Sequence, residues 1–255
     1  MTNSLKNKVA LVTGGSRNNG RETALALAQR GADVVITYRE RKQEAEQTVV
    51  DLKGLGVRAA AIQVDFTGTS QLDRFVADFQ TLLGSWERKT FDILINNAGA
   101  LRLVPFDMVS EDDLDAIYQI NYKSVFFLTQ KLVGHMADGG RIINIGSGTA
   151  RIAFGPLVSY GPLKAALQVL TLYLASFLGP RKITVNAVAP GGLDNEFNAG
   201  LFERRPQARE FIASNTALGR IGTSQDVGGI IAFLCTDAAE FISGAIIPVD
   251  GGYHL

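Results

Sequence analysis

Short runs of aliphatic and β-branched residues alternate with longer segments of helical spacing along the chain. The strand-like runs cover residues 8–13, 33–37, 59–64, 91–96, 141–145, 184–188 and 245–249. Most are continuously apolar, which is typical of parallel strands covered on both faces. This alternation predicts right-handed βαβ crossovers and an α/β fold: a doubly wound (Rossmann), mostly parallel seven-stranded sheet with helices on both faces.

The segments between these runs are predicted to be helical. Residues 22–30 carry small and leucine side chains at helical spacing, and residues 40–54 are strongly charged, as in a solvated helix. Ser110 followed by Asp113 indicates an N-cap that opens a long helix to about Ala137. No linker or repeat interrupts the pattern, so residues 1–255 are predicted to form a single domain that binds a dinucleotide and carries out catalysis.

Composition narrows the class of protein. The chain has 255 residues, 46% of them hydrophobic, with 25 basic and 25 acidic residues that leave no net charge. Nothing therefore favours nucleic acid as a partner. We find neither a signal-peptide core nor a stretch of roughly 20 apolar residues, so we expect no membrane association and a cytoplasmic location.

Cysteine and histidine are too scarce for several kinds of site. Cys235 is the only cysteine and lies in an apolar stretch, so we expect it to be a small core residue. His135 and His254 are the only histidines. We predict no metal site, and a hydrolase triad lacks both a histidine in a suitable context and a Gly-x-Ser-x-Gly motif.

A glycine-rich turn follows the first strand. Its sequence is Thr-Gly-Gly-Ser-Arg-Asn-Asn-Gly, from Thr13 to Gly20. Glycines at such a turn let the backbone approach a pyrophosphate, and the N-terminus of the next helix supplies N–H donors. Glycine-rich turns also simply connect strands to helices, so this motif alone does not decide between the two interpretations.

Two arginines bear on which dinucleotide binds. Arg17 lies in the turn, and Arg39 follows the second strand, where a carboxylate would accept the ribose hydroxyls of NAD. Because arginine suits a 2′-phosphate, we predict NADP, with NAD as the less favoured cofactor. The alternative is that Arg39 belongs to the charged face of the next helix, with Arg41 and Lys42.

A tyrosine and a lysine four residues apart indicate proton-transfer chemistry. Tyr160 and Lys164 fall on one face of an apolar helix. A nearby ammonium lowers the pKa of a phenol, which suits an acid that protonates an oxygen receiving hydride. Ser147, just beyond the fifth strand, is placed to donate a hydrogen bond to that oxygen. Because Tyr-x-x-x-Lys alone is common in helices, the prediction depends on the whole set of motifs occurring in this order along the chain.

With these motifs in order, the chain resembles the short-chain dehydrogenases/reductases over nearly its whole length. The matching positions are Thr13-Gly14 to Gly20, Asn96 to Gly99, Asn121, Ser147, Tyr160, Lys164, Pro190-Gly191 and Val249 to Gly252. The resemblance implies that Tyr160 is the general acid/base and that Lys164 also binds the nicotinamide ribose. It further implies that Asn121 holds a water that links Lys164 to solvent; the alternative is a polar residue satisfied inside its helix.

The resemblance also implies a cofactor site. Asp65 would contact the adenine, or else merely cap the next turn, and the Pro190-Gly191 pair would meet the carboxamide with the backbone of Leu193. At Gly251-Gly252 a purely structural turn is favoured. The residues expected to bind the cofactor are Gly14, Ser16, Arg17, Asn19, Gly20, Tyr38, Arg39, Asp65, Phe66, Asn97, Ala98, Gly99, Tyr160, Lys164, Pro190, Gly191, Leu193 and Asn195.

Three positions depart from the family pattern. Asn18 and Asn19 replace the middle glycine of the first turn and the residue before its last glycine, and asparagine tolerates left-handed backbone angles. Asn195 stands where a threonine commonly touches the carboxamide. A Gly161-Pro162 pair lies between the tyrosine and the lysine, so we expect the helix to begin near Tyr160 or to bend there.

The substrate is expected on loops that the cofactor does not use. Residues 101–106 and 149–157 are largely apolar. Arg102 and Arg151 lie in these loops and either contact a negative group of the substrate or face water. Residues 192–217 form a predicted lid. We therefore predict an NADP-dependent oxidoreductase for a ketone or secondary alcohol with an apolar body, of which a 3-oxoacyl substrate is one example. The alternative is a non-catalytic dinucleotide sensor. The resemblance implies a homo-oligomer, a tetramer or dimer.

Overall fold

A parallel sheet of seven strands forms the centre of the protein in the computed structural model, which describes residues 4–255. The strand order is β3-β2-β1-β4-β5-β6-β7, and every neighbouring pair is parallel. The predicted fold class is confirmed. The strands are β1 (Val9–Val12), β2 (Asp33–Tyr38), β3 (Ala59–Gln63), β4 (Phe91–Asn96), β5 (Met136–Ile145), β6 (Thr184–Pro190) and β7 (Ile246–Val249).

Helices cover both faces of the sheet. They are α1 (Asn18–Ala28), α2 (Lys42–Gly54), α3 (Leu72–Ser85), α4 (Glu111–Tyr118), α5 (Ser124–Leu132), α6 (Gly161–Leu178), α7 (Ala199–Arg204), α8 (Ala208–Ser214) and α9 (Ser224–Leu234). Side chains of β1 alternate between the two cores that result: Ala10 and Val12 pack with α1 and α9, whereas Val9 and Leu11 pack with α3 and α5.

The strand order reverses direction between β1 and β4. From β1 the chain moves outward to β2 and β3, then crosses back to β4 on the other side. In doubly wound sheets the crevice at the carboxyl ends of the strands, next to this switch, receives ligands. The turns that follow β1, β4, β5 and β6 therefore surround this crevice.

The predicted long helix from Ser110 is interrupted and ends early. Ser110 and Asp113 do form a reciprocal capping box at the start of α4. A π-helical turn, Gln119–Lys123, then separates α4 from α5, and after α5 a short 3₁₀ turn leads directly into β5 at Met136. The prediction of helix to Ala137, and of a strand beginning only at Arg141, was wrong because β5 pairs with β4 from Met136 onward.

One helix is more apolar than the sequence analysis allowed. Residues Gly161–Arg181, which include α6, have the length and composition of a membrane span. Within this segment, 39% of the apolar 18-residue stretch is buried. In this fold α6 packs on β6 and carries the buried Lys164. Core helices of folded domains meet the same criterion, so this is weak support for a membrane segment.

Candidate active site

One cavity of about 950 Å³ lies at the carboxyl ends of the strands. Ser147, Tyr160 and Lys164 line it together with every residue predicted to bind the cofactor. Asn121 is the exception among the predicted site residues and lies behind the wall. The fold therefore brings to one place side chains from positions 14 to 195 of the chain.

The glycine-rich turn is held by close backbone packing. Gly14 has a φ of +63°, a left-handed value that favours glycine. A side chain at Gly20 would overlap the carbonyl oxygen of Gly14, so α1 begins directly against the turn. The Asn97 amide donates to the carbonyl oxygens of Thr13 and Gly14 at 2.8 and 3.1 Å, which fixes the turn to β4.

The start of α1 is open to the cavity. No side chain caps it and no acidic residue lies in its first turn, in contrast to the capping boxes at α4 and α9. Its first N–H groups and the positive end of the helix dipole thus face the cavity near Asn18 and Asn19. This arrangement fits the pyrophosphate of a dinucleotide.

Arg17 and Arg39 flank this end of the cavity. Arg39 precedes α2, which begins at Lys42, so it lies in the connection after β2 and not on the helix face of the alternative interpretation. Each arginine is paired with a glutamate on the surface: Arg17 with Glu196 at 2.8 Å and Arg39 with Glu40 at 2.9 Å. Two cations at this end of the cavity suit a ribose phosphate better than bare hydroxyls.

Asp65 caps its turn and lines the cavity, and its contact with the adenine stays a prediction. It lines the cavity after β3, and its Oδ1 accepts a 2.8 Å hydrogen bond from the Thr67 N–H within its own turn. The neighbouring Phe66 is buried and packs edge-on against Phe75 of α3. The backbone of this segment is therefore well anchored where it meets the adenine end.

Tyr160 and Lys164 lie buried at the start of α6. Tyr160 is the N-cap residue, and its carbonyl accepts the first helical hydrogen bond from the Lys164 N–H, at 3.0 Å. The Lys164 Nζ lies 5.5 Å from the centre of the Tyr160 ring and donates to the Ile145 carbonyl at 2.8 Å. The ammonium is thus tied to the end of β5, beside the phenol.

Ser147 completes this group from the end of β5. Its Oγ accepts hydrogen bonds from the Thr149 N–H at 3.2 Å and from the Thr149 hydroxyl at 2.8 Å. A hydrogen bond from Ser147 lowers the pKa of Tyr160. The serine, the phenol and the amine thus line one cavity.

Burial has the largest effect on the pKa values of Tyr160 and Lys164. Burial raises the pKa of Tyr160 well above its usual value of 10.0, and the Ser147 hydrogen bond lowers it by less. Burial also lowers the pKa of Lys164 to about 8. Lys164 is not among the groups that shift the pKa of Tyr160 in the protein alone, so its lowering of the phenol pKa stays a prediction.

Asn121 lies in the π-helical turn between α4 and α5. Its amide donates to the carbonyl oxygens of Ala100 and Ile117, at 2.9 and 3.0 Å. Its Oδ1 is buried without a hydrogen-bond partner among residues 4–255, and a side chain at Gly99 would come within 2.8 Å of it. An acceptor left free in this way fits the relay water that the resemblance assigns to Asn121.

Comparison with known proteins identifies the family. A family model described as enoyl-(acyl carrier protein) reductase matches residues 16–254. The hydroxynaphthalene reductase-like protein Arp2 of Metarhizium brunneum is 35% identical over 260 residues, covering 98% of this chain and 96% of Arp2. A solved short-chain dehydrogenase/reductase from Serratia marcescens is 37% identical, with a TM-score of 0.90 over 99% of this chain and 100% of that one. The angucycline C-6 ketoreductase LanV with bound NADP is 33% identical, with a TM-score of 0.94 over 100% of this chain and 98% of that one.

This chain is a short-chain dehydrogenase/reductase. The predicted family is confirmed, and with it the prediction of an NAD(P)-dependent oxidoreductase that acts on a carbonyl or alcohol.

Two departures have direct structural explanations. Asn18 has a φ of +50°, so the asparagine adopts the left-handed conformation that the usual glycine would supply. Gly161 is needed because a side chain there would lie 2.9 Å from the Thr149 carbonyl oxygen. Pro162 falls in the first turn of α6, where its missing N–H costs nothing.

The third departure, Asn195, lines the cavity of this dehydrogenase. Its amide Nδ2 donates to Ser224 Oγ at 3.2 Å and to Asn19 Oδ1 at 3.5 Å. Its Oδ1 is buried with no partner within the described part of the chain. An acceptor without a partner fits the N–H of a carboxamide, so the role that the resemblance assigns to this position stays a prediction.

The glycines that follow β6 and β7 serve packing. A side chain at Gly191 would come within 2.6 Å of the Asp250 Cβ, so Gly191 allows these two turns to approach. Gly251 and Gly252 both have positive φ, and the Gly252 N–H donates to Asp250 Oδ1 at 3.0 Å. Their geometry is that of a tight turn, in agreement with the structural role favoured for them.

The substrate half of the cavity is walled mainly by aromatic and aliphatic side chains. They come from the predicted loops and are Ile152, Phe154, Leu157, Phe197, Leu201, Phe202, Phe211 and Ile212. Neither Arg102 nor Arg151 lines this cavity, which favours the alternative that both side chains face water over contact with a negative group. Arg102 pairs instead with Asp113, and Arg151 is exposed.

Sequence reasoning missed two residues of this wall. Tyr253 and His254 line the cavity from the end of the chain. Tyr253 pairs with Thr216 in an isolated antiparallel bridge, and the His254 N–H donates to the Asn215 carbonyl at 3.0 Å. This pairing joins segments nearly 40 residues apart, and no local motif marks it. The glycine turn before Tyr253 was the only signal available in the sequence.

Proposed function

We propose that this protein reduces a ketone on a polycyclic aromatic body, with NADPH as the reductant. Its relatives include a hydroxynaphthalene reductase-like protein and an angucycline ketoreductase with bound NADP. Reduction of a ketone with NADP, predicted from the motifs and from Arg17 and Arg39, is confirmed by these relatives. The polycyclic substrate is our extension of that activity to this chain.

The observation that carries the proposal is the position of the catalytic cluster. Ser147, Tyr160 and Lys164 meet in the wall of a single 950 Å³ cavity whose substrate half is apolar. Cavities of 300–1,000 Å³ hold ligands of roughly drug size. Flat aromatic rings bury large apolar areas against such walls, and aromatic side chains pair favourably with them.

The residues present fit NADP. The open start of α1 would hold the pyrophosphate, Arg17 and Arg39 the 2′-phosphate, and Lys164 the nicotinamide ribose. Asn195, with its free Oδ1, would accept from the carboxamide. When bound, the cofactor supplies the hydride that reduces the carbonyl carbon.

The chain's own residues would supply the proton and the orientation. Ser147 donates a hydrogen bond to the substrate oxygen and holds the carbonyl towards the phenol. Tyr160 transfers its proton to that oxygen as negative charge develops on it, because its raised pKa keeps it protonated at neutral pH. Lys164, tied to Ile145, and a water held by the free Oδ1 of Asn121 would return a proton from solvent to the phenolate.

The segment of residues 192–217 is proposed to act as the substrate lid. It contains the short helices α7 and α8, and Phe197, Leu201, Phe202 and Phe211 line the cavity from it. Asn198 donates to the Leu193 carbonyl at 2.9 Å, which anchors the base of the segment. Closure of such a segment would exclude water from the transferred hydride.

NADPH consumption with a panel of ketones tests the function. We expect a higher kcat/KM for a bicyclic or tricyclic aromatic ketone than for a linear 3-oxoacyl thioester, and loss of turnover in Tyr160→Phe. A protein that binds NADPH but reduces no ketone would support the alternative of a dinucleotide sensor. A clear preference for the linear thioester would refute the polycyclic substrate.

We also propose that the chain works as a cytoplasmic homo-oligomer built from a single domain. Exposed apolar side chains on α5 and α6 support association, with Tyr173 at 72% and Phe177 at 75% exposure. Tyr118, Tyr122 and Phe126 form an adjacent aromatic row. Light scattering of wild type and Tyr173→Lys tests this: a monomeric wild type would refute it.

A further inference from the structure

The hydroxyl of Ser147 has a second residue beside it that the proposed chemistry has not used. Thr149 lies two residues further along, lines the same cavity, and directs both its N–H and its hydroxyl at the Ser147 oxygen, at 3.2 and 2.8 Å. The Thr149 hydroxyl makes no other hydrogen bond to residues 4–255. Among these residues, Ser147 is therefore the only hydrogen-bond partner of the Thr149 hydroxyl.

The number of hydrogen bonds that the Ser147 hydroxyl accepts determines where its own proton points. A serine hydroxyl has two acceptor positions and one proton. When Thr149 fills both acceptor positions, the proton of Ser147 has to point elsewhere, and the cavity that Ser147 and Tyr160 both line is the space open to it. An oxygen that accepts two hydrogen bonds is also polarised into a stronger donor.

We propose that Thr149 is a positioning residue that sets the direction and strength of the Ser147 hydrogen bond. Without the Thr149 hydroxyl, Ser147 has one free acceptor position and its proton is free to rotate. The inference rests on the proposed function, because it assigns Ser147 as the donor to the substrate oxygen. Thr149 itself is assigned no contact with the reacting atoms.

The backbone around Thr149 is built to hold this geometry. Residues Gly148–Ala150 form a 3₁₀ turn with Ser147 as its N-cap, and the Ser147 carbonyl accepts from Gln168 at 3.1 Å. On the other side, Gly161 of α6 packs so closely that a Cβ would lie 2.9 Å from the Thr149 carbonyl oxygen. The start of the catalytic helix thus rests on the residue that orients the serine.

Replacement of the hydroxyl alone tests the proposal. Thr149→Val keeps the shape of the side chain but removes the donor, whereas Thr149→Ser keeps the donor. We expect Thr149→Val to lower kcat by about 10-fold, less than the ~10²–10³-fold that loss of a donor to the oxyanion causes. The KM for NADPH should not change, and Thr149→Ser should recover most of the activity. Thr81→Val, an exposed threonine bonded to the Ala77 carbonyl, is the matched control.

The pH profile separates positioning from packing. Because the Ser147 hydrogen bond lowers the pKa of Tyr160, its weakening in Thr149→Val should move the acid limb of alcohol oxidation to higher pH. In a Ser147→Ala background, Thr149→Val should have no further effect. An unchanged profile, equal loss in the serine variant, or additive loss with Ser147→Ala would each overturn the proposal.

A measurement without turnover distinguishes failure of this inference from failure of the proposed function. The chemical shift of the Tyr160 ring carbon Cζ, measured by NMR at neutral pH in the unliganded protein, reports the hydrogen bond to its hydroxyl and needs no substrate. A shift in Thr149→Val that differs from wild type supports the inference even where no tested ketone is reduced. An identical shift in the two proteins refutes the inference while leaving the ketone reductase activity intact.

Discussion

The guanidinium of Arg17 donates a 2.8 Å hydrogen bond to the carboxylate of Glu196, which joins the glycine-rich turn to the segment after β6. Both side chains line the cavity, and both are partly exposed to solvent. A surface pair of this kind is worth about 0–1 kcal/mol, so a phosphate would readily displace it. Glu196 thus competes with the cofactor for Arg17.

Glu196→Gln should therefore strengthen NADPH binding. Removal of the carboxylate frees Arg17 and removes a negative charge near the phosphates, and we expect about a 3- to 10-fold lower Kd, equivalent to ~1 kcal/mol. Fluorescence titration with NADPH at low salt measures this. Glu203→Gln, an exposed glutamate of α7, is the control. Weaker binding in Glu196→Gln would contradict the competition.

Arg39→Ala should reduce the preference for NADPH over NADH. Loss of a charge-assisted contact to the 2′-phosphate is expected to raise the KM for NADPH by at least about 10-fold, with little change for NADH. Steady-state kinetics with both cofactors tests this. Lys42→Ala, on the solvent face of α2 with a side chain 70% exposed, should leave the ratio unchanged. Equal effects on the two cofactors would count against Arg39 as the phosphate contact.

Lys164→Met should abolish turnover yet stabilise the fold. Burial lowers the pKa of Lys164 from 10.5 to about 8, so the charged lysine opposes folding fully below pH 8, and this penalty disappears as the pH rises to 10.5. At pH 7 the gain in the free energy of unfolding is expected to be on the order of 2 kcal/mol, after allowance for the lost Ile145 hydrogen bond.

Urea denaturation of Lys164→Met and wild type across this pH range measures the effect. The difference in unfolding free energy should shrink steadily between pH 8 and pH 10.5. A difference that is independent of pH would show that packing, and not the buried charge, is responsible. Lys182→Met, an exposed lysine at the end of the turn after α6, should show no such pH dependence.

Asn18 should tolerate glycine better than alanine. Its φ of +50° costs a non-glycine residue other than asparagine or aspartate about 1 kcal/mol. Asn18→Ala is thus expected to lower the unfolding free energy by ~1 kcal/mol, whereas Asn18→Gly stays within ~0.5 kcal/mol of wild type. Thermal denaturation distinguishes them; an alanine variant as stable as wild type would show that the turn relaxes.

The sequence predicted those features that depend on local pattern. Continuous apolar runs predicted the strands because a doubly covered parallel sheet requires them. The motifs after the strands predicted most of the cavity, because strand ends in such a sheet must converge. In the same way Ser110 and Asp113 predicted the start of α4, since a capping box is a local arrangement.

The features that the sequence did not predict depend on long-range packing. The π-helical turn at Asn121 ends α4 because this amide bonds to Ala100, in another segment. Tyr253 and His254 reach the cavity through backbone pairing with Thr216 and Asn215. The raised pKa of Tyr160 follows from burial, which spacing along a helix cannot reveal.

The isolation of the single thiol offers a practical benefit. Cys235 is buried, and burial raises the pKa of its thiol to about 12, so it is almost entirely unreactive towards alkylating dyes at neutral pH. A cysteine introduced at the exposed Gly200 of α7 would then accept one fluorophore with no background labelling. The native chain is therefore ready for optical recording of how residues 192–217 respond when ketone and nucleotide arrive.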